Sequence, residues 1–174
     1  MKIWYISKYA NNKTTEGATR HFMISKAFVN QGVNSLMIYS RSNGYKHKIF
    51  YGLYKETVED SVKCIQLNGP IVNFGFSLKR IFSWFLFEFN LIFYALTRKK
   101  SERPDVVIAS SLSLLTFVSA FLLKRMFGCK LIVEVRDIWP ATVIEIGRLK
   151  EKSLFAVFLK KVELFGYKKA DGIV

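Results

Sequence analysis

Lys130-Leu-Ile-Val-Glu-Val-Arg-Asp-Ile-Trp-Pro140 is an apolar, strand-like run that stops abruptly in a charged pair and a proline turn. In an open parallel sheet the ligand crevice lies outside the carboxyl ends of the strands, so a side chain just past the last apolar residue faces it. Arg136 and Asp137 hold that place. A solvated ion pair at a strand terminus gives the same local pattern, so the flanking sequence has to separate the two readings.

Outward from this run, strand and helix signals alternate. Lys2 to Ser7 reads as a first strand, followed by a polar loop to Gly17. Ala18 to Gln31 places Phe22, Ile24, Ala27 and Phe28 at helical spacing, with Gly32 as a stop residue. Asn34 to Ser40 is a second strand. The tyrosine- and lysine-rich stretch from Arg41 to Asp60 has no clear pattern, although Ile49 to Leu53 could form a short strand. Ser61 to Leu67 is a third strand, closed by an Asn68-Gly69-Pro70 turn. Phe76 to Lys100 reads as one long helix, apolar almost all round, which needs more cover than one sheet face supplies. Pro104 to Ser110 is a strand, Ser113 to Phe127 a helix stopped by Gly128, and Cys129 to Val135 another buried strand. A short helical piece is expected after Pro140, then a helix from Ser153 to about Lys169 and a last strand opening at Ala170. The alternation specifies an α/β fold, a parallel sheet with right-handed crossovers and helices on both faces.

A chain of 174 residues fits one domain, 1–174, able to bury a core without disulfides or metal. Cys64 and Cys129 lie in apolar runs without metal-ligand or redox spacing, so both read as buried thiols of a reducing compartment, and no metal site is expected. The amino terminus carries too short an apolar run for a secretory signal, and a cytoplasmic location is expected. Between Ile71 and Thr97, Lys79, Arg80 and Glu88 divide the apolar run into pieces shorter than the ~20 residues of a bilayer span.

The formal net charge of +14 points to an anionic partner. It is spread over small clusters, among them Lys79/Arg80 and Arg98-Lys99-Lys100. No zinc-finger spacing, RNP motif or clear helix-turn-helix accompanies the charge, so nucleic acid is not the expected partner. Basic clusters beside Phe, Trp and Leu suggest an anionic membrane surface, with Lys79, Arg80, Trp84, Arg98, Lys99 and Lys100 facing it. A solvated basic surface is the plain alternative.

The first βα turn, Thr15-Glu16-Gly17-Ala18-Thr19-Arg20-His21, is where a diphosphate would meet helix amides, but it lacks the GxGxxG fingerprint of dinucleotide binding. Capping alone explains Gly17 as well. Arg20 in the first helical turn opposes the helix dipole, which suggests either another use or a solvated side chain. His21 reads as a polar residue over that turn in preference to a general base. Ser110, Ser111 and Ser113 also face the crevice, where helix capping is their simplest role. With no GxSxG elbow and only two histidines, a hydrolase triad lacks support.

Gly17-x-x-Arg20-His21, Pro104-Asp105-Val106-Val107-Ile108, Val135-Arg136-Asp137-Ile138-Trp139-Pro140 and Lys169-Ala170-Asp171-Gly172-Ile173, in that order, resemble the amino-terminal half of GT-B glycosyltransferases. The nearest type is family four, which includes bacterial enzymes that build O-antigen and capsular polysaccharide. The resemblance implies a Rossmann-like acceptor domain that pairs across a cleft with a nucleotide-sugar domain and transfers sugar with retention of configuration. It places Glu16, Gly17 and Arg20 at the donor diphosphate, Arg136 and Asp137 beside the reacting sugars, and Ser110, Ser111 and Trp139 along the acceptor cleft. The implied acceptor is a lipid-diphosphate-linked sugar at the inner leaflet of the plasma membrane. The nucleotide sugar is a co-substrate, and no cofactor is implied.

Two departures stand out. Many relatives carry a glycine pair in the first loop and histidines near the ends of strands four or five, where this chain has Glu16-Gly17, Ser110 and Arg136. The family's paired-glutamate motif and nucleotide-sugar pocket do not occur in this sequence, and a strand opening at Ile173 with no room to finish favours a truncated chain. Such a chain is expected to be inactive alone. The alternatives are a membrane-recruiting subunit of a split transferase and, more weakly, a basic nucleic-acid-binding module.

Overall fold

Period-two alternation in five strands sorts the core into two layers. In the computed structural model, which describes residues 1–12, 20–43, 49–72, 78–111, 113–147 and 149–174, the strands form one seven-stranded sheet. They are β1 (Lys2–Ile6), β2 (Asn34–Ser40), β3 (Tyr54–Glu59), β4 (Val62–Leu67), β5 (Val106–Ser110), β6 (Lys130–Glu134) and β7 (Gly172–Ile173), in the order β3-β4-β2-β1-β5-β6-β7. All neighbours are parallel except β3 and β4. Five helices accompany them among the described residues: α1 (Arg20–Asn30), α2 (Leu78–Leu96), α3 (Leu115–Phe127), α4 (Ala141–Glu145) and α5 (Leu154–Lys169).

Trp4, Ile6, Leu36, Ile38, Ile65, Val107, Leu131 and Val133 point to one face, where α2, α3 and α5 supply Phe87, Leu91, Phe117, Leu123 and Leu159. The alternate residues Ile3, Tyr5, Met37, Tyr39, Cys64 and Ile108 point to the other face, where α1 packs through Phe22 and Phe28. Both cysteines are free and buried, and burial pushes the Cys64 thiol up to about 12. Two acidic residues of the family-like motifs act as staples at strand starts. Asp105 accepts from the Lys2 backbone N–H at 2.7 Å. Asp171 accepts from the Leu131 N–H at 2.8 Å and pairs with Lys124 at 2.6 Å, contacts that hold its carboxyl down at about 2.

The segment from Arg41 to Asp60 departs from the expected pattern. Its strand lies at Tyr54–Glu59, not at Ile49 to Leu53, and is antiparallel. The cause is local: Asp60 and Ser61 both adopt positive φ, 45° and 66°, the geometry of a two-residue hairpin. Charged, exposed side chains on β3 suit an edge strand. Helix α2 ends at Leu96, short of Lys100, where a separate 3₁₀ turn spans Lys100–Glu102. The expected start at Phe76 and the loop residues Glu16 and Gly17 lie outside the described residues.

Helices α3 and α5 meet at Gly166, whose position over the fully buried Phe117 ring leaves no room for a β-carbon. Gly166→Ala is expected to lower unfolding free energy by about 1–3 kcal/mol, the usual range for overpacking, measured by urea denaturation. An unchanged midpoint would mean that the two helices separate without cost.

Candidate functional site

The winding direction of the sheet reverses between β1 and β5, and in open α/β sheets a ligand binds outside the carboxyl ends of the strands at such a switch point. Three groups of side chains converge on it.

The first joins α1 to β5 and β6. His21 Nε2 lies 3.3 Å from Ser110 Oγ and 3.7 Å from Glu134 Oε2, while Arg20 reaches Glu134 Oε1 at 3.4 Å through both Nε and Nη2. The Tyr5 ring sits 5.2 Å from the imidazole. His21, Ser110 and Glu134 are buried, whereas the Arg20 side chain is 60% exposed. Among the described residues, His21 Nδ1 and Glu134 Oε2 have no hydrogen-bond partner. Burial, opposed by Glu134 and reinforced by Arg136 and Arg20, lowers the His21 pKa to about 4, so the ring is neutral near pH 7. The unfolded chain takes up this proton near its ordinary value of 6.5. The native state does not, so stability falls as pH drops from about 6.5 towards 4. Acidification from pH 7 to 5 is expected to cost on the order of 1–2 kcal/mol more in the wild type than in His21→Gln, read from denaturant midpoints. Parallel curves would show that His21 is not buried neutral.

The second group shapes the end of β6. Ser111 donates its N–H to the Glu134 carbonyl at 2.8 Å, and its hydroxyl oxygen accepts from the Arg136 and Asp137 N–H groups at 2.8 and 3.2 Å. This clasp fixes the turn and leaves Arg136 and Asp137 exposed just past the carboxyl end of β6. Trp139, half-buried, follows and precedes a cis Pro140. With Trp84, Leu114 and Leu159 it lines a small apolar notch.

The third group lies beneath the ends of β1 and β2. Lys8 is buried and donates to the Ser42 carbonyl at 2.7 Å. Glu88 of α2 accepts from Thr116 at 2.8 Å and Ser113 at 3.5 Å. Burial dominates both: it lowers the Lys8 pKa to about 7, with Arg80 adding to the fall, and raises Glu88 to about 7 against its hydroxyl donors and Lys8.

The structure thus brings Arg20, Ser110, Ser111, Arg136, Asp137 and Trp139 to one edge of the sheet. Ser110 and Ser111 are buried, their hydroxyls engaged by His21 and by the turn. The residues expected to face a membrane divide: Lys79, Lys99 and Lys100 are exposed, whereas three turn inward. Trp84 donates to the Tyr9 hydroxyl at 2.7 Å, Arg80 lies 5.3 Å over the Tyr9 ring, and Arg98 lies 4.6 Å over Tyr94. Glu134, Lys8 and Glu88 escape a reading by motif. Their signals were present: Glu134 ends an apolar strand, Lys8 follows β1 as Arg136 follows β6, and Glu88 is the only acid in α2. The described residues contain no cluster of three or more His, Cys, Asp or Glu able to hold a metal ion.

A doubly wound α/β sheet with polar side chains gathered at its switch point defines a broad class. No family model matches the chain. It is similar to the probable glycosyltransferase WbjE of Pseudomonas aeruginosa, with 30% identity over 97 residues. That match covers 56% of this chain and 23% of the relative's length, and supports at most a glycosyltransferase relationship. Among solved structures, a mutation variant of SsGBP (13% identity, TM-score 0.26, 99% of this chain and 47% of that one) carries no argument at that score. The same holds for the FeoB G-domain of Methanococcus jannaschii (13% identity, TM-score 0.22, 91% and 80%).

Proposed function

We propose that this chain is the acceptor-binding half of a retaining glycosyltransferase that acts on a lipid-diphosphate-linked sugar in bacterial surface-polysaccharide synthesis, O-antigen or capsule. The convergence of Arg20, Arg136 and Asp137 on the switch-point crevice carries this reading. Two exposed guanidinium groups suit the two diphosphates, Arg136 that of the acceptor and Arg20 that of the donor, because their planar donors match phosphate oxygens. Asp137 beside them accepts from a sugar hydroxyl and orients it. Glu134 holds Arg20 in place from below, and His21 lies 3.7 Å from the other oxygen of that carboxylate. The resemblance to a probable glycosyltransferase supports the same class of reaction. The nucleotide-sugar donor is bound mainly by a second domain or a partner subunit, with the first βα loop and Arg20 approaching its diphosphate. The chain alone is therefore expected to bind acceptor without transferring sugar.

Calorimetric titration with a short-chain polyprenyl-diphosphate sugar tests the reading. Binding is expected, and Arg136→Ala should weaken it by about tenfold or more, the loss of one charge-assisted contact. Absence of binding, or tight salt-dependent binding of duplex DNA in its place, would overturn it.

A further inference from the structure

The outward side of α2 has no cover among the described residues. Leu78, Phe82, Phe85, Phe89, Phe93 and Leu96 are each at least 50% exposed. At 3.6 residues per turn the six fall within about a quarter-turn of the helix, in a stripe ~27 Å long. The opposite side is buried through Phe87, Leu91 and Tyr94. Glu88, bonded to Thr116, fastens that side to α3. The stripe therefore cannot turn inward without dragging a buried carboxyl into solvent and aromatic rings out of the core. Soluble monomers rarely leave so long an apolar strip uncovered.

Charge identifies the occupant. Exposed Lys79 stands at the amino end of the stripe and exposed Lys99 and Lys100 just beyond its carboxyl end, while the only acid of α2 is buried. A second copy seated antiparallel would set Lys79 against the other chain's Lys99 and Lys100, and a parallel pair would oppose each lysine to itself. Both arrangements add like-charge repulsion to chains that already carry +14 each. No helix of the described residues is long and apolar enough to cross a membrane. We propose that α2 lies flat in the surface of an anionic lipid bilayer, its phenylalanine stripe among the acyl chains and its flanking lysines at the headgroup phosphates. This placement differs from the expectation that Trp84, Arg80 and Arg98 face the lipid, since those side chains turn towards the body of the protein.

Vesicle flotation tests the proposal without donor or acceptor, so its outcome is independent of the transfer reading. The chain is expected to float with phosphatidylcholine vesicles containing phosphatidylglycerol and to remain behind with phosphatidylcholine alone. The double variant Phe85→Ser/Phe89→Ser should bind at least about tenfold more weakly at an undiminished thermal midpoint, because both side chains are outside the core. Lys79→Gln/Lys99→Gln/Lys100→Gln should reproduce the loss caused by high salt. No flotation, or flotation indifferent to the serine substitutions, would overturn the proposal. So would a lipid-free dimer in analytical ultracentrifugation that those substitutions dissociate, since a second copy would then cover the stripe.

Discussion

In a transferase assembled from this chain and a nucleotide-sugar domain, Asp137→Asn is expected to lower turnover by about two orders of magnitude, the low end of the range for a positioned proton-handling or orienting group. The substitution preserves size and removes the negative charge. Because the Ser111 hydroxyl holds the turn through the backbone N–H groups of Arg136 and Asp137, the clasp does not depend on the Asp137 carboxylate. The thermal midpoint should therefore stay constant while turnover falls, a separation that a structural ion pair would not give. Wild-type turnover in the variant would remove Asp137 from the site. Ser111→Ala offers a contrast: it withdraws an acceptor from two backbone N–H groups, so turn geometry and turnover should deteriorate together.

Phe117→Ala is expected to cost about 3–5 kcal/mol, the usual range for truncating a buried phenylalanine. Phe117 is fully buried in the layer between α3, α5 and the sheet, and its ring lies 6.2 Å from that of Tyr167. The close approach of Gly166 means that α5 is positioned against this particular ring. Against a typical domain stability of about 5–15 kcal/mol, such a loss leaves a large fraction unfolded at modest temperature. Equilibrium urea denaturation measures it. A cost under about 1 kcal/mol would show that α5 collapses into the space, and Phe117 would then not be the keystone of that layer.

Most of the fold was legible because the strands obey a clean rule. Residues 36 to 39 of β2 alternate between the two cores, and β1, β5 and β6 do the same. Gly128 and Ser153 mark helix boundaries through local chemistry, a left-handed φ of 69° and a hydroxyl that accepts from the Ala156 N–H. β3 was harder to read because its pairing is antiparallel and its outward residues are charged, so the decisive signal was the Asp60-Ser61 turn and not an apolar run. Arg136 and Asp137 could be read because they follow a strand directly in sequence. Their supports could not. The Glu134 contact with Arg20 joins residues far apart in the chain, and Glu88 meets Thr116 only because α2 and α3 pack side by side. Spacing within one sequence carries no record of such meetings. Likewise, the helical period showed α2 to be apolar almost all round, but which arc remained outside depended on where Glu88 found its partners.

The position of a bound acceptor tests the central claim most directly. A crystal structure of this chain with a short-chain polyprenyl-diphosphate sugar is expected to place the diphosphate against Arg136 and a sugar hydroxyl against Asp137, outside the carboxyl ends of β1, β5 and β6. A diphosphate seated elsewhere on the basic surface, with the switch-point crevice empty at saturating ligand, would contradict it.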